Sequence, residues 1–235
     1  MKKIVCSVFI MTATLAAVSL KAQTADEIVS KYIDAIGGKD VIKKINSVYL
    51  EGSVQVMGGD NPTTVTILNG KGYKTESEFN GMKAIQCYTD KGGWSVNPMS
   101  GGAAEAMPQE IYNAGKDQID VGGALFDYAA KGSTVTLQGK EGKTYKLKLV
   151  TKEKSETTYF IDDATFLLSK VTKKATMMGN EVEVNVSMTD YKKTDIGYSV
   201  PYTIGTDLGQ FQLTTTIKKV EINKTIDPTI FNMPK

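Results

Sequence analysis

Three pairs of carboxylates are the residues of this chain whose spacing invites chemistry: Glu76 with Glu78, Glu181 with Glu183, and Asp162 with Asp163. Two acids can share the work of proton donor and base, provided a cleft holds them on either side of a substrate bond. Residues two apart on a strand share one face. The alternation around both glutamate pairs puts that face in water, and Asp162-Asp163-Ala164-Thr165 reads as a turn. The rest of the chemical inventory is short. There is no histidine, which removes the commonest general base and metal ligand and any Ser-His-Asp or Cys-His arrangement. All 28 basic residues are lysine, so the planar fork that grips phosphate or carboxylate is absent. Cys87 lies in an alternating run and reads as a buried, inert thiol. Gly92-Gly93 and Gly122-Gly123 lack the lysine and strand-to-helix setting of a phosphate loop, and no stretch has the oxygen-ligand spacing of a calcium loop. No catalytic residue, metal site or cofactor is expected, and the chain does not read as an enzyme.

With so little to position for catalysis, the elements themselves carry the argument. Residues 1–22 have Lys2 and Lys3, an apolar run from 4 to 20 and Ala22 at a plausible cleavage point, the pattern of a secretory signal peptide. The run is short for a membrane span and diluted by Ser7, Thr12, Thr14 and Ser19. Cys6 stands at the start of the apolar run rather than after it, so lipid attachment is not expected. Export to the periplasm without a transmembrane helix follows. What remains, 23–235, reads as a single domain. It holds 25 lysines against 26 acidic residues, a net charge of −1, which offers nothing to nucleic acid or an anionic membrane. Cys87 is then the one cysteine, so no internal disulfide can form.

Helical spacing joins Ile28, Val29, Tyr32, Ile33 and Ile36, with Thr24 as cap and Gly37-Gly38 as stop. A short helical piece over 39–45 follows. From Asn46 the period becomes two, with Val48, Leu50, Val54 and Val56 on one side, and a turn is expected at 58–62. Strands are expected over 63–68, 73–79, 82–89 and 94–97, and, after an interruption at 98–131, over 133–138, 143–150, 157–161, 166–173, 181–191, 198–205 and 210–222. The interruption has helix-prone pieces at 108–118 and 123–130 and many glycines, as suits a lid or binding loop. The fold class is therefore mainly β (α+β): a large curved antiparallel sheet, or half-barrel, covered by an N-terminal helix and a helical insertion. A sheet of about a dozen strands must curl, and with one dry face it forms a trough that a few helices do not fill. Trp94, Met99, Met107, Ile111, Leu125 and Phe126 are candidates for an apolar mouth, with ordinary core as the equal alternative. Leu50, Val54, Val56 and Phe79 extend the apolar cavity into the first half. Pro201 fits a strand edge or bulge, and Phe231 reads as a plug that pins the C-terminal tail.

The order of elements resembles the lipoprotein-carrier superfamily, the LolA/LolB-like outer-membrane lipoprotein-sorting proteins. The phrases that carry the resemblance are Glu27-Ile28-Val29 leading to Gly37-Gly38, Tyr159-Phe160-Ile161-Asp162-Asp163, Gly197-Tyr198-Ser199-Val200-Pro201, and Asp227-Pro228-Thr229-Ile230-Phe231. Similarity implies a half-barrel with a helical lid that shields lipid or lipoprotein acyl chains between two membranes. Carriers of that kind hold the lid through an arginine near the first strands. This chain has none, which leaves the implied hand-off cycle without its latch and widens the cargo to other lipids. The alternative is a non-enzymatic envelope protein-interaction module of the same fold, with a filled interior and protein partners. A monomer is expected.

Overall fold

The computed structural model describes residues 23–56, 58–177, 180–209 and 211–234. The expected signal segment and Cys6 lie outside the described residues. Helix α1, Ala25–Ala35, opens the fold. Thr24 Oγ1 accepts from the Glu27 N–H (3.2 Å) while the Glu27 carboxylate accepts from the Thr24 N–H (3.1 Å). This reciprocal pair satisfies two otherwise orphaned donors, and Asp26 and Glu27 favour the positive end of the helix. Ile28, Val29 and Ile33 form its buried stripe. The helix stops at Gly37, at φ 131°, with the Gly38 N–H returning to the Ile33 carbonyl at 2.8 Å. A Cβ on Gly37 would also lie 3.0 Å from the Gly197 carbonyl oxygen, so backbone and neighbour both demand glycine. Helix α2, Lys39–Ile42, ends earlier than the expected 39–45 piece, and Ile45 is buried just beyond it.

The strands are β1 Ser47–Val56, β2 Gly59–Leu68, β3 Gly72–Phe79, β4 Met82–Thr89, β5 Gly93–Val96, β6 Ala104–Ala106, β7 Thr134–Glu141, β8 Thr144–Val150, β9 Glu156–Asp162, β10 Leu168–Met177, β11 Asn180–Lys193, β12 Ser199–Asp207 and β13 Gln212–Ile222. They make one thirteen-stranded sheet in the order β6-β5-β4-β3-β2-β1-β13-β12-β11-β10-β9-β8-β7. Each strand pairs antiparallel with its neighbours. The first strand pairs with the last, so the two edges are β6 and β7, which the insertion 107–133 joins. The insertion must therefore leave one edge and return at the other. It contains helix α3, Gln109–Gly115, and a 3-10 turn, Lys116–Ile119.

Three local expectations are corrected. The turn expected at 58–62 is tighter, because β2 begins at Gly59 and Asp60, Asn61 and Pro62 pair with β1. β3 joins β2 only from Thr63, so Pro62 occupies a stretch with a single partner, where a strand tolerates proline. Pro201 uses the same device: it pairs with Tyr191, while β13 joins β12 only from Thr203. Residues 123–130 form turns and not a helix; Asp127 is at φ 48° and Leu125 and Phe126 are buried, so tertiary packing overrides helical propensity there. Finally, β10 starts at Leu168 rather than 166. The Asp162 carboxylate accepts from the Ala164 and Thr165 N–H groups and the Thr165 hydroxyl at 3.1, 2.7 and 2.9 Å, and Phe166 turns at φ 55°.

The inner face of the sheet is the one that α1 and the insertion cover. Ile28, Val29, Ile33, Ile36 and Ile42 pack there on Leu147, Leu149, Ile161 and Leu168. Beside them Ile45, Val48, Leu50, Val121, Val200 and Ile217 form a second cluster. A third lies on the opposite face, where Phe231 sits on Cys87 and Trp94. The Phe231 carbonyl accepts from Trp94 Nε1 at 2.8 Å and from Cys87 Sγ at 3.5 Å. Its ring lies so close to Gly72 that a Cβ there would be 2.6 Å away. The tail is pinned as the sequence suggests.

Candidate ligand-binding trough and its strap

The trough has a floor of strand side chains and a strap, residues 107–133, across it. On the β2–β5 side the strap is fastened by Met107 N–H to the Gly93 carbonyl (2.8 Å), Gly70 N–H to the Ile119 carbonyl (2.8 Å), Val121 N–H to Asn69 Oδ1 (3.0 Å) and Tyr112 hydroxyl to the Thr89 carbonyl (2.8 Å). Gly115 lets the strap lie against Tyr88, since a Cβ there would meet that ring at 2.4 Å. On the other side Lys173 Nζ of β10 donates to the Ala114 carbonyl at 3.3 Å, Lys116 pairs with Glu153 at 2.6 Å, and the Tyr198 hydroxyl donates to the Val121 carbonyl at 3.0 Å. Lys131 braces the strap from within through Asp120 and the Gly123 carbonyl. Most of these fastenings use strap backbone, so they hold the segment's path and ask little of its side chains.

Charge between the strap and the sheet is sparse and costly. Burial pushes the Asp117 carboxyl up against the opposing pull of Lys131 and Lys116. It pushes the Lys173 ammonium down against Asp117. Burial also raises the phenols of Tyr159, Tyr191 and Tyr198, and takes Tyr32 to about 12. The floor around α1 is thus neutral tyrosine and aliphatic surface. Cys87, fully buried on the far face, is pushed up to about 12 by burial, which leaves almost no thiolate. The carboxylate pairs are engaged elsewhere: Glu76 with Lys74 at 3.3 Å, Glu181 with Lys174 at 2.7 Å, Asp163 with Lys140 at 2.6 Å. Among the described residues no group of three or more His, Cys, Asp or Glu side chains is placed to hold a metal, and no helix is long and apolar enough to cross a membrane.

The ten candidate residues divide into three sets. Strand register puts Leu50, Val54, Val56 and Phe79 on the inner face; Leu50 and Val54 are buried and Val56 and Phe79 half-buried. Leu125 and Phe126 root the end of the strap in the α1 cluster, and Met107 anchors its start over Gly93. Trp94, Met99 and Ile111 stand apart. Trp94 pairs with Cys87 while its neighbour Gly93 pairs with Tyr88; Gly93 and Tyr88 meet the strap, so alternation turns Trp94 to the far face. Met99, 93% exposed, projects from the β5–β6 connection, and Ile111, on α3, is 45% exposed. The strap contacts of Lys173, Tyr112, Tyr198, Asn69 and Glu153 were not foreseen. Lys173 alone left a trace: it falls in step with Val171 and Ala175, at an inner-face position where charge is out of place. A depression of about 370 Å³ lies between α1 and the strap's end, lined by Val29, Ile33, Leu125 and Tyr128 and rimmed by the Lys39–Asp127 pair.

No protein-family profile and no curated protein sequence matches the chain. Solved structures do match in shape. A domain described as outer-membrane lipoprotein-sorting, from Vibrio parahaemolyticus, superposes with TM-score 0.56 at 13% identity over 88% of this chain and 95% of that one. A LolA superfamily protein from Nitrosomonas europaea gives 0.59 at 12% over 90% and 98%. A DUF1329 family protein from Desulfovibrio piger gives 0.51 at 9% over 90% and 98%. Such identities speak for the fold alone. One open, curled antiparallel sheet with helices laid across its inner face is what these proteins share, and the chain has the fold of the LolA-type lipoprotein-sorting proteins.

Proposed function

We propose that this protein is a non-enzymatic carrier of the cell envelope, which shelters the acyl chains of a lipid or lipoprotein between the inner face of its sheet and the strap. The observation that carries the reading is how the strap is fastened. It crosses from one edge of the sheet to the other; its end is rooted by buried Val121, Leu125 and Phe126, while 107–120 rests on a few hydrogen bonds and ion pairs, each worth about 1 kcal/mol net. Releasing those on one side opens the trough without breaking a single strand pairing. The surface exposed would be Leu50, Val54, Val56, Phe79 and neutral tyrosines, a lining that welcomes hydrocarbon and offers no reacting group. The segment 1–22 supplies the export signal in this reading, and the remaining residues act as one domain.

Native mass spectrometry of the exported protein, purified without detergent and followed by organic extraction, tests it directly. Acyl-chain species that leave on denaturation support the carrier and name its cargo. A homogeneous empty protein that also refuses fluorescent fatty-acyl probes sinks it.

A further inference from the structure

The two ends of the sheet differ in chemistry. Because neighbouring strands alternate in direction, the β3–β4, β5–β6 and β12–β13 connections all lie at one end. Each presents a large apolar side chain to solvent: Met82 (50% exposed), Met99 (93%) and Phe211 (43%). The turns that carry them are well formed. Asn80 and Gly81, both at positive φ, make the tight hairpin before Met82; the Asn97 carboxamide accepts from the Met99 N–H at 2.9 Å; the Leu208 N–H closes on the Phe211 carbonyl at 2.9 Å. The connections at the other end carry Asn69-Gly70-Lys71, Asp90-Lys91, Glu141-Gly142-Lys143 and Asp163, with Ile196 the exception there.

We propose that the end bearing Met82, Met99 and Phe211 docks on a lipid bilayer, its hairpin tips entering the interface. Hairpins repeat about every 10 Å across a sheet, so these side chains stand apart along an arc and form no continuous patch. A protein partner needs a packed core within about 800 Å² per side; a bilayer interface accepts separate apolar tips, each entering by itself. Charges near this end have both signs: Glu78 and Asp207 with Lys83, Lys174 paired with Glu181, and Lys152, Glu153 and Lys154 in the β8–β9 connection, which alternation puts at the same end. Docking therefore needs no anionic lipid. The proposal deepens the carrier reading by giving the trough a membrane to face, and its geometry stands without that reading.

The test is flotation of the exported protein with phosphatidylcholine vesicles. Wild type is expected to float, and the triple variant Met82→Ser, Met99→Ser, Phe211→Ser to lose about tenfold in partitioning, while Ile196→Ser at the other end floats as wild type. All three side chains are exposed, and an unchanged melting curve checks that the sheet survives. A second measurement places a polarity-sensitive dye on Met99→Cys in a Cys6→Ser chain, with Cys87 sealed from reagent. A blue shift on adding vesicles is expected, and none from Ile196→Cys. A dye that stays in water, or equal shifts from both ends, overturns the proposal. So does a variant that loses self-association rather than vesicle binding, which would assign the rim to a second copy. Insertion without uptake of an acyl probe would keep the docking and remove the carrier; uptake without insertion would do the reverse.

Discussion

A buried charge is a cost the fold could have avoided, and Asp117, carried by the strap's own 3-10 turn, is such a charge. Burial holds its carboxyl above the ordinary value of 3.8, so the folded protein binds the proton more readily than the unfolded chain. The sign follows from linkage: protonation relieves the penalty, which is present in full above the raised value and gone below 3.8. Asp117→Asn is therefore expected to stabilise the protein at neutral pH, and the gain to vanish as the pH falls into that window. Chemical denaturation of both proteins across pH 3–7 reads it out; a gain independent of pH would mean the carboxylate is not the strained group. Lys173 is the matching cation. Its ammonium reaches the Ala114 carbonyl with Asp117 as its opposing charge. Lys173→Met keeps most of the side-chain volume and removes the donor. Faster uptake of a fluorescent fatty-acyl probe is expected, with stability changed by no more than about 1 kcal/mol. Unchanged uptake would mean that Lys173 does not latch the strap.

At the scale of elements, the strap and α1 cover the same face by different means. The α1 helix is held by buried aliphatics and a complete cap, so it belongs to the permanent core. Thr24→Ala is expected to cost about 1 kcal/mol, and Ile33→Ala about 2–5 kcal/mol, both read by denaturant titration. The strap's end is rooted by Leu125 and Phe126, and 107–120 is held mostly by backbone fastenings and by the close approach at Gly115. Gly115→Ala would drive a methyl into the Tyr88 ring, so the strap must lift while the strands stay paired. Its expected signature is faster hydrogen exchange across 107–122 with β7–β13 unchanged; uniform exchange would make the strap part of the global core. This contrast was only half legible in the sequence. Period-two alternation marked the strands and the 3.6 period marked α1, because those elements bury one face continuously. The path of the strap was not, because most of its fastenings use its backbone groups, which carry no residue signature. Residues 123–130 have a helix-prone composition but form turns, because tertiary contacts hold Leu125 and Phe126 in the core.

At the scale of the molecule, the closing pair β1 and β13 sets everything else. No local pattern announces that the first strand will meet the last, yet that pairing is what puts both sheet edges at the ends of one insertion and turns a meander into a trough. The two faces of the sheet carry separate packing clusters, and the sequence left open which of them Trp94 joins. In the four-residue strand β5, alternation says only that Trp94 and Val96 share a side; the partner Cys87 and the tail residue Phe231 decide which side. If the faces are independent, Trp94, the only tryptophan, should be blind to cargo. Saturating the trough with a fatty acid is expected to leave its emission maximum in place, because the ligand lies across the sheet from it. Phe231→Ala should red-shift the same emission and open Cys87 to thiol reagent without abolishing uptake, at a cost of about 3–5 kcal/mol for the lost ring. The pair of results separates two kinds of ordinary failure. A tryptophan shift on ligand addition would mean that the acyl chain reaches the far face or that the sheet flexes as a whole. Loss of uptake in a stably folded Phe231→Ala protein would mean that the tail, and not the strap alone, controls the trough.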